Sequence, residues 1–349
     1  MKFDFLIIGQ GLAGSLLAFE LIQRGFKVFV IDNGLENASQ VAAGLINPVT
    51  GMRFVKSSDV DVLLPFAKNH YQALERFFKQ SFYIKKPMLR LLKNNKEIEN
   101  ARKRLDNPDY ATYLSGIVEN EKFGMVLEQQ QTAYLLIVRL LVALKQFFIS
   151  RQCYQQASLD YKEIKLSEFV SYQAIKAKQL IFCEGYLARD NPWFSYLPFQ
   201  LVKGEILTLQ HQQVPSSFLL NYGHWMIPLD DFNFRTGATF DRENINTQVT
   251  ESGRDELLTS LKVIMPELAQ AEFIKQQANV RPCTLDKQPF IGLHPRYSQL
   301  AIFNGFGAKG SLQIPYYAQQ FVDFLSKKQN LSAKVDIQRM ETRLPAVRD

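Results

Sequence analysis

The sequence predicts a mixed α/β protein, in which a parallel-sheet domain of nucleotide-binding type, discontinuous along the chain, carries an inserted antiparallel-sheet domain. The first residues read as strand, glycine turn, helix and second strand in succession. A buried strand, a glycine-rich turn and a helix recur in that order near the C-terminus. Between these two ends, from about residue 200, the pattern changes to alternating strands. At 349 residues the chain is longer than one compact core usually runs, so two domains are the natural expectation.

Each element has a local reason. Phe3 to Ile8 is a largely apolar run suited to a strand buried on both faces, and it leads into Gly9-Gln10-Gly11-Leu12-Ala13-Gly14. Leu16, Leu17, Phe19, Leu21 and Ile22 are good helix formers, and Gly25 suits the helix end. Lys27 to Ile31 is a second buried strand, closed by Asp32. After a loop of small residues over 37–51, Leu64 to Phe78 has apolar residues at helical spacing. Lys93 to Arg104 reads as an exposed helix or loop. Thr132 to Phe148 is apolar nearly all round and is expected to be a buried helix.

Gln179 to Cys183 is a short strand ending at Gly185, and Leu201 to Leu209, Trp225 to Ile227 and Phe232 to Thr239 read as antiparallel sheet. Ser252 to Ile264 is helical. Leu300 to Phe303 is a last buried strand, followed by the glycine turn 305–310 and a helix from Ser311 to Leu325, in which Pro315 is expected to fall early enough to be tolerated.

Composition excludes several classes. Hydrophobic residues make up 46% and charged residues 21%, ordinary globular usage that leaves no room for a largely disordered or fibrous chain. The 41 Lys and Arg exceed the 34 Asp and Glu by 7, a mild basic bias spread without a run of five like charges. Cys153, Cys183 and Cys283 are far apart and odd in number, which fits a reducing cytoplasm better than a disulfide framework. The four histidines, His70, His211, His224 and His294, are not paired at ligand spacing, so no metal site is expected. Asp4 breaks the N-terminal apolar run, unlike a signal peptide, and the stretch from Leu135 to Leu144 contains Arg139 and is too short to cross a bilayer. A cytoplasmic protein without membrane attachment is expected. Gly-x-Ser-x-Gly, His-Glu-x-x-His and Gly-Lys-Ser/Thr are all absent, so serine hydrolase, zincin and P-loop readings lack their residues.

The glycine turn carries the first functional signal. In Gly9-x-Gly11-x-x-Gly14, the first glycine permits the tight turn, the second lets backbone approach a pyrophosphate, and the third lets the helix pack closely on the sheet. The helix N-terminus, at Leu12 and Ala13, presents amides to the phosphates. Asp32 closes the second strand 18 residues after Gly14 (32 minus 14), where a carboxylate accepts hydrogen bonds from ribose hydroxyls. This motif alone leaves FAD and NAD both open.

Together with that turn, Ala42-Ala43-Gly44-Leu45-Ile46-Asn47-Pro48, the segment Arg281-Pro282-Cys283-Thr284-Leu285-Asp286-Lys287-Gln288-Pro289-Phe290-Ile291-Gly292, and Gly305-Phe306-Gly307-Ala308-Lys309-Gly310 resemble the D-amino-acid oxidase superfamily of FAD enzymes. Within it, the sequence is most similar to glycine oxidases and to the oxidase domain of the bifunctional tRNA methylaminomethyl-thiouridine enzyme. The resemblance runs from end to end in the same order. It is strongest at the termini and weak between Met52 and Lys178. It implies a Rossmann-type FAD-binding domain over 1–58, 125–196 and 279–349, and a substrate domain over 59–124 and 197–278.

The resemblance further implies FAD held without a covalent bond, since Asn279 stands where cysteinyl-flavin relatives place their thiol. Ala42, Ala43 and Gly44 would bring backbone amides to the pyrophosphate and flavin, with a hydroxyl donor from Ser39. Gly185, in the turn after the Gln179–Cys183 strand, would also belong to the cofactor site. Gly305, Gly307, Ala308, Lys309 and Gly310 would set a helix N-terminus against the flavin edge that gains negative charge, with Lys309 assisting. Arg281 occupies the position that holds the substrate carboxylate, a task suited to a planar fork of donors; a salt bridge to Asp286 or Glu272 is its alternative role. Lys203 or Lys309 would be the next candidates for that carboxylate.

Two departures stand out. Trp225 replaces the tyrosine that glycine oxidases carry near Pro228, and Cys183-Glu184-Gly185 replaces an alanine-threonine-glycine turn. Glu184 is expected to face solvent and is given no catalytic role. The expected substrate is a small amine or amino acid. The alternatives are a glycine-like group carried on a tRNA base, favoured by the basic balance and the 93–104 segment, and a flavin-binding scaffold that no longer turns over.

Overall fold

The computed structural model describes residues 2–343; Met1 and 344–349, the outer ends of the expected FAD-binding domain, lie outside the described residues. The chain divides into two compact units. One comprises the residues up to Gln40, Ile137–Val202 and those from Arg281 on; the other comprises Val41–Leu136 and Lys203–Val280. The α/β class is as the sequence predicts.

The first unit is built on an eight-stranded sheet. Its parallel strands lie in the order Tyr154–Gln156, Val28–Asp32, Lys2–Ile8, Ile175–Phe182 and Leu300–Asn304. Register is fixed by apolar side chains buried on both faces: Leu6, Ile7 and Ile8 stand beside Leu180, Ile181 and Phe182. Hairpin strands Val170–Tyr172 and Phe290–Leu293 add antiparallel pairs. The Leu12–Gln23 helix, all but apolar, packs between the Ile137–Ser150 and Gly310–Leu325 helices. Because the central strands are parallel, their C-terminal ends share one edge, which therefore collects Gly9–Gly14, Asp32, Gly185 and Gly305.

The second unit holds a separate, largely antiparallel eight-stranded sheet, in which Leu219–Asn221 runs parallel to Met88–Leu91. Alternation gives it two faces. One buries Leu89, Leu91, Leu207, Leu209, Met226 and Phe234 against Leu257 and Leu261 of the Glu251–Ile264 helix. The other carries Met88, Leu219 and Ile227, which pack with Tyr134 and, less deeply, with Ala43, Leu45 and Trp225.

Several expectations need correction. The Thr132–Phe148 helix is a strand, Ala133–Leu135, followed by a helix, Ile137–Ser150. Cross-strand pairing of Ala133 and Tyr134 with Ile46 and Leu45 outweighs their helical spacing. That helix is also not buried all round, since Val138, Val142 and Ile149 are exposed. The Leu64–Phe78 helix begins earlier, at Val60, and contains Pro65. Pro315 lies in the second turn of its helix, past the first-turn positions where a missing N–H is harmless.

Candidate functional site

In the first unit, the glycine turn has the shape its spacing demands. Gly9 has φ of 103°, and a Cβ there would stand 2.5 Å from the Cys183 carbonyl oxygen. A Cβ on Gly14 would collide with the Gly9 carbonyl oxygen, so only glycine lets the helix start this close to the strand. Gly11 caps the helix without a side-chain bond. Leu12 N donates to Ser39 Oγ at 3.0 Å, whereas the Ala13 and Gly14 amides have no acceptor among the described residues. Two unclaimed donors at the positive end of a 12-residue helix fit an anionic pyrophosphate. Ser39, expected as a donor, spends an oxygen lone pair on Leu12 and keeps its O–H to donate.

Asp32 accepts from Gln10 N at 2.7 Å and from Gly34 N at 2.8 Å. It therefore braces the turn, and each carboxylate oxygen retains a further lone pair. The buried Gln10 side chain donates to Ser15 Oγ at 3.1 Å and to the Leu141 carbonyl at 3.0 Å, tying the turn to the Ile137–Ser150 helix. Asn304, also buried, donates to the Gly185 carbonyl at 2.8 Å and accepts from Gly305 N at 2.8 Å, joining two of the expected loops. Neither Gln10 nor Asn304 was nominated by the sequence, although a polar residue at the end of an apolar strand is a readable signal.

Arg281, Cys283 and the 305–310 turn come together within this unit. Gly307 N donates to the Pro282 carbonyl at 3.2 Å, and the Cys283 sulfur lies beside Gly307. Burial lowers the pKa of the Arg281 guanidinium, and the nearby Cys283 opposes the shift. Asp286, one of its two expected alternative partners, is held instead by Arg339 Nε at 2.8 Å. Ala308 and Lys309 are exposed as residues, yet neighbouring groups partly desolvate the Lys309 ammonium, and this, then the charge of Lys287, lowers its pKa. The Gly310–Leu325 helix begins without a side-chain cap, leaving its first-turn dipole open.

Glu184 corrects the expectation of a solvent-facing residue. Its half-buried carboxylate accepts from Tyr161 Oη at 2.8 Å and Asn191 Nδ2 at 2.9 Å. Burial raises its pKa from the ordinary 4.5 to about 7, against these two hydrogen bonds.

In the second unit, Ala42 is exposed, Ala43 is half-buried, and the Gly44 carbonyl accepts from Leu135 N at 2.9 Å. Trp225 is half-buried, and its ring lies across Gly237, its cross-strand neighbour. The indole N–H has no acceptor among the described residues. Lys203 is buried, 3.5 Å from Glu205 Oε1 and 3.2 Å from Asn246 Oδ1. It is therefore no longer a candidate for the substrate carboxylate: its charge is neutralised internally. Glu205 also accepts from Thr250 N at 2.9 Å, Thr250 Oγ1 at 2.7 Å and Gln276 Nε2 at 2.7 Å. Among the described residues no group of three or more His, Cys, Asp or Glu is placed to hold a metal ion, and no helix is long and apolar enough to cross a membrane.

A parallel sheet with an amide-rich turn, an acid and an uncapped helix N-terminus along one edge defines a dinucleotide-cofactor protein. The chain belongs to the DAO family of FAD-dependent oxidoreductases, whose model matches residues 4–324. It is 24% identical over 91% of its length to the tRNA 5-methylaminomethyl-2-thiouridine biosynthesis bifunctional protein MnmC of Marinobacter nauticus, covering 54% of that protein. The chain spans about half the length of the curated MnmC relatives it matches. It is 23% identical to glycine oxidase of Pseudomonas putida, over 93% of this chain and 95% of that one. The crystal structure of glycine oxidase from Geobacillus kaustophilus superposes with a TM-score of 0.83 at 19% identity, covering 97% of this chain and 98% of that one.

Proposed function

We propose that this chain binds FAD non-covalently and oxidises the C–N bond of an amino acid or N-substituted glycine. The observation that carries this reading is the unclaimed Ala13 and Gly14 amides beside Asp32, on the strand edge that also holds Gly185 and Gly305. Bound flavin supplies a hydride acceptor, N5, for the substrate α-carbon.

The remaining work falls to this chain. The Ala13 and Gly14 amides hold the pyrophosphate, and Asp32 accepts from the adenosine ribose. Arg281 grips the carboxylate with two parallel donors and fixes the C–H bond to be broken. The Gly310–Leu325 helix start, aided by Lys309, stabilises negative charge on the ring edge. Trp225 offers its indole N–H where glycine oxidases carry a tyrosine hydroxyl. No side chain is assigned as general base, because an amine that binds neutral needs none. A cytoplasmic location belongs to the same reading.

A second reading attaches the glycine-like group to a tRNA base. The exposed Lys96, Arg102 and Lys103 of the Asn95–Leu105 helix favour it, as does the MnmC similarity. Tight, strongly salt-dependent tRNA binding separates it from the first. Anaerobic mixing of the yellow protein with amino acids and N-substituted glycines tests the proposal. Bleaching of the flavin by at least one of them is expected; bound FAD that none reduces marks a scaffold without turnover.

A further inference from the structure

Among the described residues, Arg90 is a guanidinium without a counter-ion on the second unit's sheet. It lies on the Met88–Leu91 strand, beside Asn221 in register, and Asn221 in turn pairs with Trp225. These side chains share the face that also packs Ala43 and Leu45 through Met88, Leu219 and Ile227. Arg90, Asn221 and Trp225 are all half-buried.

Among the described residues Arg90 forms no ion pair. Its Nη1 donates to Asn221 Oδ1, its Nε is buried without an acceptor, and its guanidinium stands 5.8 Å from the centre of the Phe54 ring. The acid that acts on it electrostatically, Glu97, accepts from Lys93 N at 2.9 Å and is buried. Burial accordingly lowers the pKa of Arg90, with Glu97 only opposing the shift. A purely structural arginine in a sheet would be expected to gain a carboxylate or a set of carbonyls, since an unpaired, partly desolvated charge is costly. Here the donors on Nη2 and the amide Nδ2 of Asn221 remain for an acceptor that is not part of the fold.

We infer that Arg90 and Asn221 form an anion-recognition point on this face, and that the substrate is an amine bearing a second anionic group besides the carboxylate next to its C–N bond. The inference rests on the reading above, in which Trp225, on this same face, contacts the substrate. Arg90 is then a specificity residue that selects the tail of the substrate.

The test uses FAD-loaded protein and two readouts. Anaerobic flavin reduction is titrated with glycine and sarcosine, which have one carboxylate, and with aspartate and iminodiacetate, which have two. Flavin absorbance is separately titrated with acetate and malonate, which cannot be oxidised. The two-carboxylate ligands should bind at least tenfold more tightly in each readout. Arg90→Gln should erase that preference while changing glycine and sarcosine less than twofold, and Arg90→Lys should keep part of it.

Equal binding of both classes, or an Arg90→Gln variant that weakens both alike with unchanged FAD content, overturns the inference and leaves the oxidase reading standing. Arg90-dependent malonate binding with no bleaching by any amine supports the anion site and overturns the oxidase reading instead. If Arg90→Gln fails to fold, Asn221→Leu, which removes the amide donor and keeps the arginine, decides by the same preference ratio.

Discussion

At the residue scale, charge and burial assign the work. Arg281→Lys keeps the positive charge but loses the planar pair of donors, so substrate binding should weaken by about 1.5–3 kcal/mol, the range for a hydrogen bond to a charged group. FAD content, measured on the released cofactor, should stay unchanged. Full affinity in both Arg281→Lys and Arg281→Ala would mean that the carboxylate is bound elsewhere. Glu184 makes a different prediction, for stability. Its folded pKa of about 7 exceeds the ordinary 4.5, so the folded state binds more protons between these values. Stability from this group is therefore complete below about pH 4.5 and is lost as pH rises through about 7. Glu184→Gln should remove that slope, leaving the variant relatively more stable at pH 8 than at pH 5 by on the order of 1–2 kcal/mol. Denaturant unfolding at the two pH values reads the difference, and an unchanged slope would show that Tyr161 and Asn191 offset the burial.

At the scale of elements, what could be read in the sequence followed periodicity. The Leu12–Gln23 and Gly310–Leu325 helices and the strand ending at Ile8 were legible because long apolar runs meet glycine stops. The strands between Tyr83 and Leu135 were not: Tyr83–Lys85, Met88–Leu91 and Ala133–Leu135 are short, and Leu114–Asn120 carries Gly116 and a register shift. Glu184 and Arg90 escaped because their roles depend on Tyr161, Asn191 and Asn221, distant in sequence. Lys203 was misassigned because the pocket that buries it with Glu205, two residues on, is completed by Asn246 and Thr250 from further along the chain. The Lys203–Glu205 pair yields an element-scale prediction. Glu205→Ala leaves a buried ammonium unpaired and strips three donors of their acceptor at the start of the Glu251–Ile264 helix. It should cost about 3–5 kcal/mol in chemical denaturation; a cost below about 1 kcal/mol, within the range of a surface pair, would mean that Lys203 finds another partner.

At the scale of the whole molecule, the chain is a member of an FAD-dependent oxidoreductase family whose parallel sheet offers backbone donors along one edge. FAD that binds only the folded state should raise stability by about 2.7 kcal/mol at a hundredfold excess over Kd. With FAD held without a covalent bond, as proposed, acid denaturation should return a chain of unmodified mass; an added flavin mass would contradict that binding mode. The proposed removal of hydride from a carbon that bears both nitrogen and carboxylate is tested most directly by a deuterium substitution. The amine that bleaches the flavin best is mixed anaerobically, at saturation, with its α-protiated and α-deuterated forms in turn. Deuterium should slow bleaching, because the α C–H bond breaks in that step; identical rates for the two forms would contradict hydride removal from that carbon.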